Sequence, residues 1–194
     1  MSRKVQKVQY HLNPRGISNL SDEDIKAILR GADDLIMRGG RTILAKVLKG
    51  SRAKEVLQSG LDKSPVYGFY RTLPADEILA RIDWTILNKY LAIEYDGRLP
   101  LLIYTPQGWA IEREMYASEL LKDFDERLAG GSGPFDLSYL KDMNREMIWL
   151  LLDKVAETGD QKYIPLLEAW AQVDYKKVQQ RIRQVISQLQ QAAG

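Results

Sequence analysis

One strand-turn-strand pattern interrupts a chain whose other segments have helical periodicity, and it constrains the fold more than any other feature. Two β-rich runs in LAIEYDGRLPLLIYT, residues 91–105, flank Asp96-Gly97, a dipeptide typical of tight hairpin turns. Amphipathic stretches typical of helices precede and follow it, at residues 75–90 and 106–128. This order predicts an α+β unit, mainly α, with a small two-stranded sheet.

Shorter helices are predicted before the hairpin. Ser21 is a capping residue, and the acids that follow it favour the positive end of a helix whose apolar stripe runs to Ile36. A second helix is predicted over residues 42–49, and Gly50 ends it. Ser51 is then predicted to cap a third short helix.

The segment AGGSGPFD has the composition of a linker, and the residues after it read as helical, in stretches at about 137–157, 162–171 and 175–191. The sequence therefore predicts a division into a basic N-terminal arm, an α+β domain, a linker and a helical C-terminal region. Their bounds are 1–20, 21–128, 129–136 and 137–194.

Basic residues are concentrated in particular segments, although the formal net charge is only +2. Residues 1–20 contain four basic and no acidic residues, and residues 41–71 contain seven basic and two acidic residues. Residues 99–135 contain three basic and six acidic residues. A local basic zone favours one face for a polyanion, and a solvated helix face is the alternative.

Several chemistries have no candidate residues. The chain has no cysteine, and His11 is its one histidine, so thiolate sites, His-paired catalysis and multi-histidine metal sites are excluded. No phosphate-binding loop of the GxxxxGK[ST] type and no apolar run near about 18 residues occurs. The N-terminus lacks the apolar block of a secretory signal. We therefore expect a non-enzymatic cytoplasmic protein, nucleoid-associated if it binds DNA, with no cofactor, membrane or small-molecule substrate.

A specific order of motifs occurs between residues 41 and 116: LKGS at 48–51, YGFYR at 67–71, a helix closing in NKYLAIEY, the hairpin, and IYTPQGW at 103–109. This order resembles the RQC domain, the winged-helix module at the C-terminal side of RecQ-family DNA helicases. Lys49 stands where the family typically has arginine, and Tyr104 where it has leucine. The chain is most similar to stand-alone bacterial RQC-like proteins that have no motor. Residues 21–40 match more loosely.

The resemblance implies a winged helix that binds duplex DNA. Gly50 would let a phosphate approach the backbone, the amides and hydroxyl at a helix beginning at Ser51 would point at it, and Lys49 and Arg52 would add charge. The predicted recognition helix, 75–89, carries several acids, which favours backbone over base readout. The full set of predicted DNA-binding residues is Arg41, Lys46, Lys49, Gly50, Ser51, Arg52, Lys54, Arg71 and Arg98.

Residues 157–190 are similar to a HEAT-type helical pair, a unit that needs a neighbour to bury its apolar face. Basic residues Lys176, Lys177, Arg181 and Arg183 form a second basic strip there, interpreted as a solvated face.

The sequence thus predicts an accessory protein of DNA repair, replication or recombination that clamps duplex or branched DNA, with a possible protein partner at 137–194. The alternative is an interaction scaffold, or a binder of structured RNA, whose winged helix no longer binds DNA. The acidic stretch 99–135 and Asp96 in the predicted wing favour that alternative.

Overall fold

The computed structural model describes residues 11–131 and 134–191. Residues 1–10 of the predicted arm and residues 132–133 of the predicted linker lie outside this range. The helices are α1 Asp22–Ala32, α2 Arg41–Lys49, α3 Lys54–Gln58, α4 Ala75–Leu87, α5 Pro106–Ala129, α6 Arg145–Thr158, α7 Ile164–Val173 and α8 Lys176–Gln191. The strands are β1 Leu91–Asp96 and β2 Leu99–Tyr104. Short 3₁₀ turns cover Asp33–Leu35, Leu61–Lys63, Ser138–Asp142 and Gln161–Tyr163.

Contacts divide the chain into Met1–Glu112 and Arg113–Gly194, here called unit 1 and unit 2. The division falls within α5. The predicted boundary at residue 128 stays a prediction.

The first helix begins as the sequence predicts. The Ser21 hydroxyl accepts a hydrogen bond from the Asp24 amide at 3.1 Å, and the Asp24 carboxylate accepts one from the Ser21 amide at 3.4 Å. This reciprocal capping satisfies two amides that the helix itself cannot pair. The apolar stripe behind the cap is buried, with Ile28 and Leu29 wholly inaccessible.

The hairpin forms one residue later than the sequence indicates. Asp96 pairs with Leu99 across an antiparallel ladder, so the turn consists of Gly97 and Arg98, and not Asp96-Gly97. Gly97 has a φ of 58° at the first turn position, which suits a glycine-first tight turn whose twist matches the strands.

A loop segment covers the other edge of the hairpin. The Met37 amide donates to the Leu102 carbonyl at 3.0 Å, and the Leu102 amide donates to the Gly39 carbonyl at 2.9 Å. The segment therefore supplies the third strand position of a winged-helix sheet and pairs the exposed edge of β2.

The unit 1 core lies among α1, α2, α4 and the sheet. It is built from the inward faces of these elements, among them Leu44, Val47, Leu48, Ile78, Ile82, Leu91 and Leu102. The predicted mainly α fold, a winged helix followed by a helical C-terminal region, is confirmed.

Unit 2 contains the end of α5 and the helices α6 to α8. The stretch predicted as one helix from residue 137 is divided, because the Asn144 side chain accepts a hydrogen bond from the Glu146 amide at 2.8 Å and starts α6 anew. Asp174 is buried between α7 and α8, where its carboxylate accepts hydrogen bonds from Trp170 Nε1 at 2.8 Å and Arg145 at 3.2 Å. The similarity to HEAT-type pairs stays a prediction. Among the described residues, no helix is long and apolar enough to cross a membrane.

Candidate nucleic-acid interface

The end of α2 is the first half of the candidate site. Gly50 has a φ of 74°, its amide donates to the Val47 carbonyl at 2.9 Å, and the Ser51 amide donates to the Lys46 carbonyl at 2.9 Å. This is the paired closure that commonly ends helices at a left-handed glycine. A side chain at Gly50 would be strained, and its Cβ would lie 3.0 Å from the Gly68 Cα. Two backbones therefore meet here.

Ser51 does not begin a helix, so the prediction that it caps the third helix is wrong, and its contact with phosphate stays a prediction. The helix α3 begins at Lys54 and has 5 residues, and its capping position is Ala53, without a side-chain cap. The Ser51 hydroxyl accepts a hydrogen bond from the Ala53 amide at 3.2 Å, and the Ser51 carbonyl accepts one from the Tyr67 hydroxyl at 3.1 Å. The Ser51 amide takes part in the hydrogen bonds that end α2 at Gly50. Residues 51–53 therefore form a loop.

The second half of the site is the turn before α4. The Gly68 amide donates to the Val47 carbonyl at 3.0 Å, and the Tyr70 amide donates to the Leu48 carbonyl at 2.8 Å. These bonds fix the turn against the carbonyls at the end of α2, where the Val47 carbonyl accepts from both the Gly50 and the Gly68 amides. We call residues 50–54 and 67–73 together the junction.

Arg71 lies across both glycines of the junction. A Cβ built on Gly68 would come within 3.1 Å of Arg71 Nη2, and one built on Gly50 within 3.7 Å of Arg71 Nε. The Arg71 side chain is exposed, and within residues 11–131 and 134–191 it forms no ion pair. The two glycines leave room for this guanidinium against the backbone, and its exposed donors are available to an anion.

The other basic residues predicted to bind DNA differ in whether their side chains have partners within the protein. Arg52, Lys54 and Arg98 are exposed and form no ion pair with the described part of the chain. Lys49 instead donates from its ammonium to the Arg71 carbonyl at 2.7 Å and the Leu73 carbonyl at 2.6 Å. These bonds use two of its three donors and hold the turn that carries Arg71.

Two further predicted residues have acidic partners. The Lys46 ammonium contacts the Glu55 carboxylate at 2.5 Å. Arg41 forms an ion pair with Asp83 of α4, whose carboxylate also accepts a hydrogen bond from the Asn13 amide at 2.8 Å. Arg41 is mostly buried, so the structure does not bring it to the junction.

The acids of α4, the predicted recognition helix, are paired within unit 1. Asp76 pairs with Arg15, and Glu77 lies 3.7 Å from Arg81. Together with the pair between Arg41 and Asp83, these contacts balance the negative charge that sequence reasoning assigned to this helix. The described end of the predicted arm thus lies against α4.

Tyr70 anchors the junction to α1. Its hydroxyl donates to the Asp24 carboxylate at 2.6 Å. Burial raises the pKa of Tyr70 well above its ordinary value, and the hydrogen bond to Asp24 raises it further. Burial acts to raise the pKa of Asp24 too, but hydrogen bonds from Tyr70 and Ser21 outweigh it, and the Asp24 pKa is lowered.

Sequence reasoning missed Gly68 as a functional position. Its signal was the YGFYR motif, which pointed to Arg71 but not to the glycine under it. The φ of 77° at Gly68 and the closeness of Gly50 make this position the counterpart of Gly50. Phe69, the next residue, has an exposed aromatic side chain that is 39% accessible, and the sequence did not predict it as part of the site.

Comparison with known proteins gives the following. The RQC domain family matches residues 21–125. The ATP-dependent DNA helicase RecQ of Bacillus subtilis (strain 168) is 32% identical over 71 residues, which cover 37% of this chain and 12% of the helicase. The match thus spans a small part of that helicase. No solved structure matches significantly.

Proposed function

The chain belongs to the RQC domain family, and from this premise we propose that it is a non-enzymatic DNA-binding protein whose junction clamps the phosphate backbone of duplex DNA. The RQC domain of RecQ helicases is linked to DNA binding. The proposed role is that of an accessory protein in DNA repair, replication or recombination, acting on duplex or branched DNA.

The observation that carries this proposal is the Arg71 guanidinium lying over Gly50 and Gly68. Because neither glycine has a Cβ, the guanidinium can lie against the backbone, and arginine presents several donors in one plane to the oxygens of a phosphate. Arg52 and Lys54 are exposed on the same short segment of chain and add charge on that side. Each has a charged group available to replace counterions on DNA.

The remaining predicted residues have supporting roles in this proposal. Lys49 is a positioning residue, since its ammonium holds the carbonyls of Arg71 and Leu73. Lys46 is balanced by Glu55, and Arg41 fixes α2 to α4 through Asp83. Arg98 at the wing turn is the proposed fourth phosphate contact.

The proposed binding has little sequence specificity. Phosphate contacts position a protein on DNA, whereas base contacts read its sequence. Asp76, Glu77 and Asp83 of α4 accept contacts from the protein's own cations. Arg81, the one basic residue of α4, lies 3.7 Å from Glu77, so that helix has few free donors for base edges and backbone contacts dominate the proposed interface.

Fluorescence anisotropy with labelled duplex, forked and single-stranded DNA over a range of salt concentrations tests this function. Four phosphate contacts predict a slope of log K against log salt near about −3.6, from roughly −0.9 per contact. Arg71→Ala should reduce the magnitude of the slope by about 0.9 and weaken binding to all sequences alike. A slope near zero for the wild-type protein would contradict the proposal.

Two competing outcomes are distinguishable in the same assay. Stronger binding of structured RNA than of duplex DNA would favour recognition of A-form geometry. Absence of binding to any nucleic acid at low salt would favour the scaffold function, in which residues 137–194 dock a protein partner.

A further inference from the structure

Unit 1 contains a cavity that lies apart from the junction. Its volume is about 590 Å³, within the usual range for small-ligand sites. The 3₁₀ turn Leu61–Lys63 and the residues on either side of it line the cavity, together with the C-terminal end of α1, the turn after it and Ile43 of α2. None of its lining residues belongs to the junction.

The charged side chains of the cavity wall are mainly cationic. Arg30, Arg38 and Lys63 line it, against one acid, Asp34. Arg38 and Lys63 are exposed and form no ion pair with the described residues. Arg30 is buried, and its guanidinium lies 3.7 Å from the Asp33 carboxylate and 3.8 Å from that of Glu112. The two exposed cations are therefore available to an anion.

Ser64 supplies an independent sign of a ligand. This residue lines the cavity and is only 8% accessible, and its hydroxyl has no hydrogen-bond partner among the described residues. Its backbone is satisfied, since the amide donates to the Leu61 carbonyl at 3.3 Å and the carbonyl accepts from the Tyr67 amide at 2.9 Å. Buried polar groups are nearly always paired, so an unpaired hydroxyl in the wall of a mainly cationic cavity calls for a partner.

We propose that this cavity binds a phosphate group, with Arg38 and Lys63 balancing its charge and the Ser64 hydroxyl donating to one of its oxygens. The phosphate comes either from the end of a nucleic-acid strand or from a free phosphate compound. This proposal does not depend on the clamp at the junction, because the two share no side chain.

Titration of the full chain with inorganic phosphate, followed by amide chemical shifts in NMR, tests the proposal. Sodium chloride at equal ionic strength is the reference. We expect saturable shifts at Gly60, Lys63 and Ser64 that chloride does not reproduce. Shifts that are equal in chloride, or that fall elsewhere on the protein, would overturn the proposal.

Ser64→Ala separates a role in binding from a role in folding. Removal of an unpaired buried hydroxyl should leave the unfolding midpoint of the free protein unchanged or slightly higher. The affinity for phosphate should fall about tenfold, because a hydrogen bond to a charged group is lost. Unchanged phosphate affinity in both Ser64→Ala and Lys63→Ala would contradict the proposal. Lys176→Ala, which removes one exposed charge in unit 2, is the matched control and should bind phosphate as the wild type does.

Asp34→Asn gives a test in the opposite direction. It removes the one acidic side chain of the cavity wall, so we expect phosphate affinity to rise by about threefold to tenfold at constant ionic strength. A decrease in affinity would argue against a phosphate near this wall.

The source of the phosphate is distinguished in the Arg52→Ala/Arg71→Ala background, where the proposed clamp is removed. Preference for a 5′-phosphorylated over a 5′-hydroxyl oligonucleotide, lost on Ser64→Ala, would assign the cavity to strand ends. Equal binding of both oligonucleotides, with phosphate titration retained, would assign it to a free phosphate compound. If the clamp proposed at the junction is wrong, the wild-type protein will show no salt-dependent binding of duplex DNA. Its titration with phosphate will still show saturable shifts at the cavity.

Discussion

The junction of unit 1 and the C-terminal helices of unit 2 both combine exposed basic side chains with a left-handed glycine, yet they differ in construction. At the junction, Gly50 faces the backbone of Gly68, and Arg71 lies over both. In unit 2, Gly159 ends α6 with a φ of 63°, and, apart from its two chain neighbours, no described residue has an atom within 4 Å of the position where a Cβ would stand.

The basic side chains of α8 differ from those of the junction in their support. Lys176, Lys177 and Arg183 are exposed along a helix whose opposite face is buried, and Arg181 contacts Asp153 at 2.6 Å. No backbone turn of the described chain is held under them in the way that Gly68 lies under Arg71. A helical basic strip therefore supplies charge alone, whereas the junction adds a guanidinium that lies over two glycines on a turn held by hydrogen bonds.

The largest expected difference is in local stability, between the variants Gly50→Ala and Gly159→Ala. Both changes place a Cβ on left-handed backbone, which costs about 1–2 kcal/mol. Gly50→Ala also forces apart two backbones, and we expect a total loss of about 2–4 kcal/mol in the local stability of α2. Amide hydrogen exchange in α2 and α6 measures each loss separately. Equal losses at the two sites would mean that the close approach of Gly50 to Gly68 has no energetic consequence.

Two double variants compare the contributions of the two basic regions to duplex binding at an equal change of net charge. They are Arg52→Ala/Arg71→Ala at the junction and Lys176→Ala/Lys177→Ala in α8. We expect the first pair to weaken duplex binding at least about tenfold at about 0.1 M salt, because two phosphate contacts are lost. The second pair should change it less than about twofold, since neither lysine belongs to the proposed clamp. Anisotropy on the same duplex measures both. A larger effect from the α8 pair would place the main DNA surface in unit 2.

Lys49→Met against Arg71→Met separates positioning from phosphate contact. Loss of the Lys49 hydrogen bonds should destabilise the turn by about 1 kcal/mol and weaken DNA binding, with little change in salt slope. Arg71→Met should reduce the magnitude of the slope by about 0.9. A comparable decrease in slope for Lys49→Met would show that its remaining donor contacts phosphate.

The smallest expected effect is the loss of stability in the variants Tyr70→Phe and Tyr67→Phe. The two should differ in how that loss depends on pH. Each change removes one hydroxyl hydrogen bond, and we expect a loss of about 0.5–1.5 kcal/mol near pH 7. The acceptor of Tyr70 is the Asp24 carboxylate, whose pKa is lowered below its ordinary 3.8 in the folded protein, whereas the acceptor of Tyr67 is the Ser51 carbonyl.

The sign of the pH effect follows from that lowered pKa. The Asp24 carboxylate contributes stability that is present above the unfolded-state pKa and is lost as the pH falls through the folded-state pKa. The stability difference between wild type and Tyr70→Phe should therefore shrink below about pH 4, and that for Tyr67→Phe should stay constant. Urea denaturation over pH 3–7 measures both. Parallel curves for the two variants would contradict this assignment.

Local features of the fold were predictable because they depend on residues close in sequence. The Ser21 cap, the apolar stripe of α1 and the end of α2 at Gly50 all follow from neighbours within about one helical turn. The errors were local as well. The hairpin turn moved by one residue because Asp96 completes the ladder with Leu99, and Ser51 lost its capping role because its amide closes α2.

The order of elements, the family resemblance and the segment that contains the basic residues are all evident from the amino-acid sequence. Tertiary structure alone decided which of those charges remain available, because the partners are distant in sequence. Lys46 meets Glu55 nine positions away, Lys49 meets the Arg71 carbonyl 22 away, and Arg41 meets Asp83 42 away. The same folding brings Gly68 beneath Arg71 and against Gly50, since only the packed chain fixes the distance between two loops.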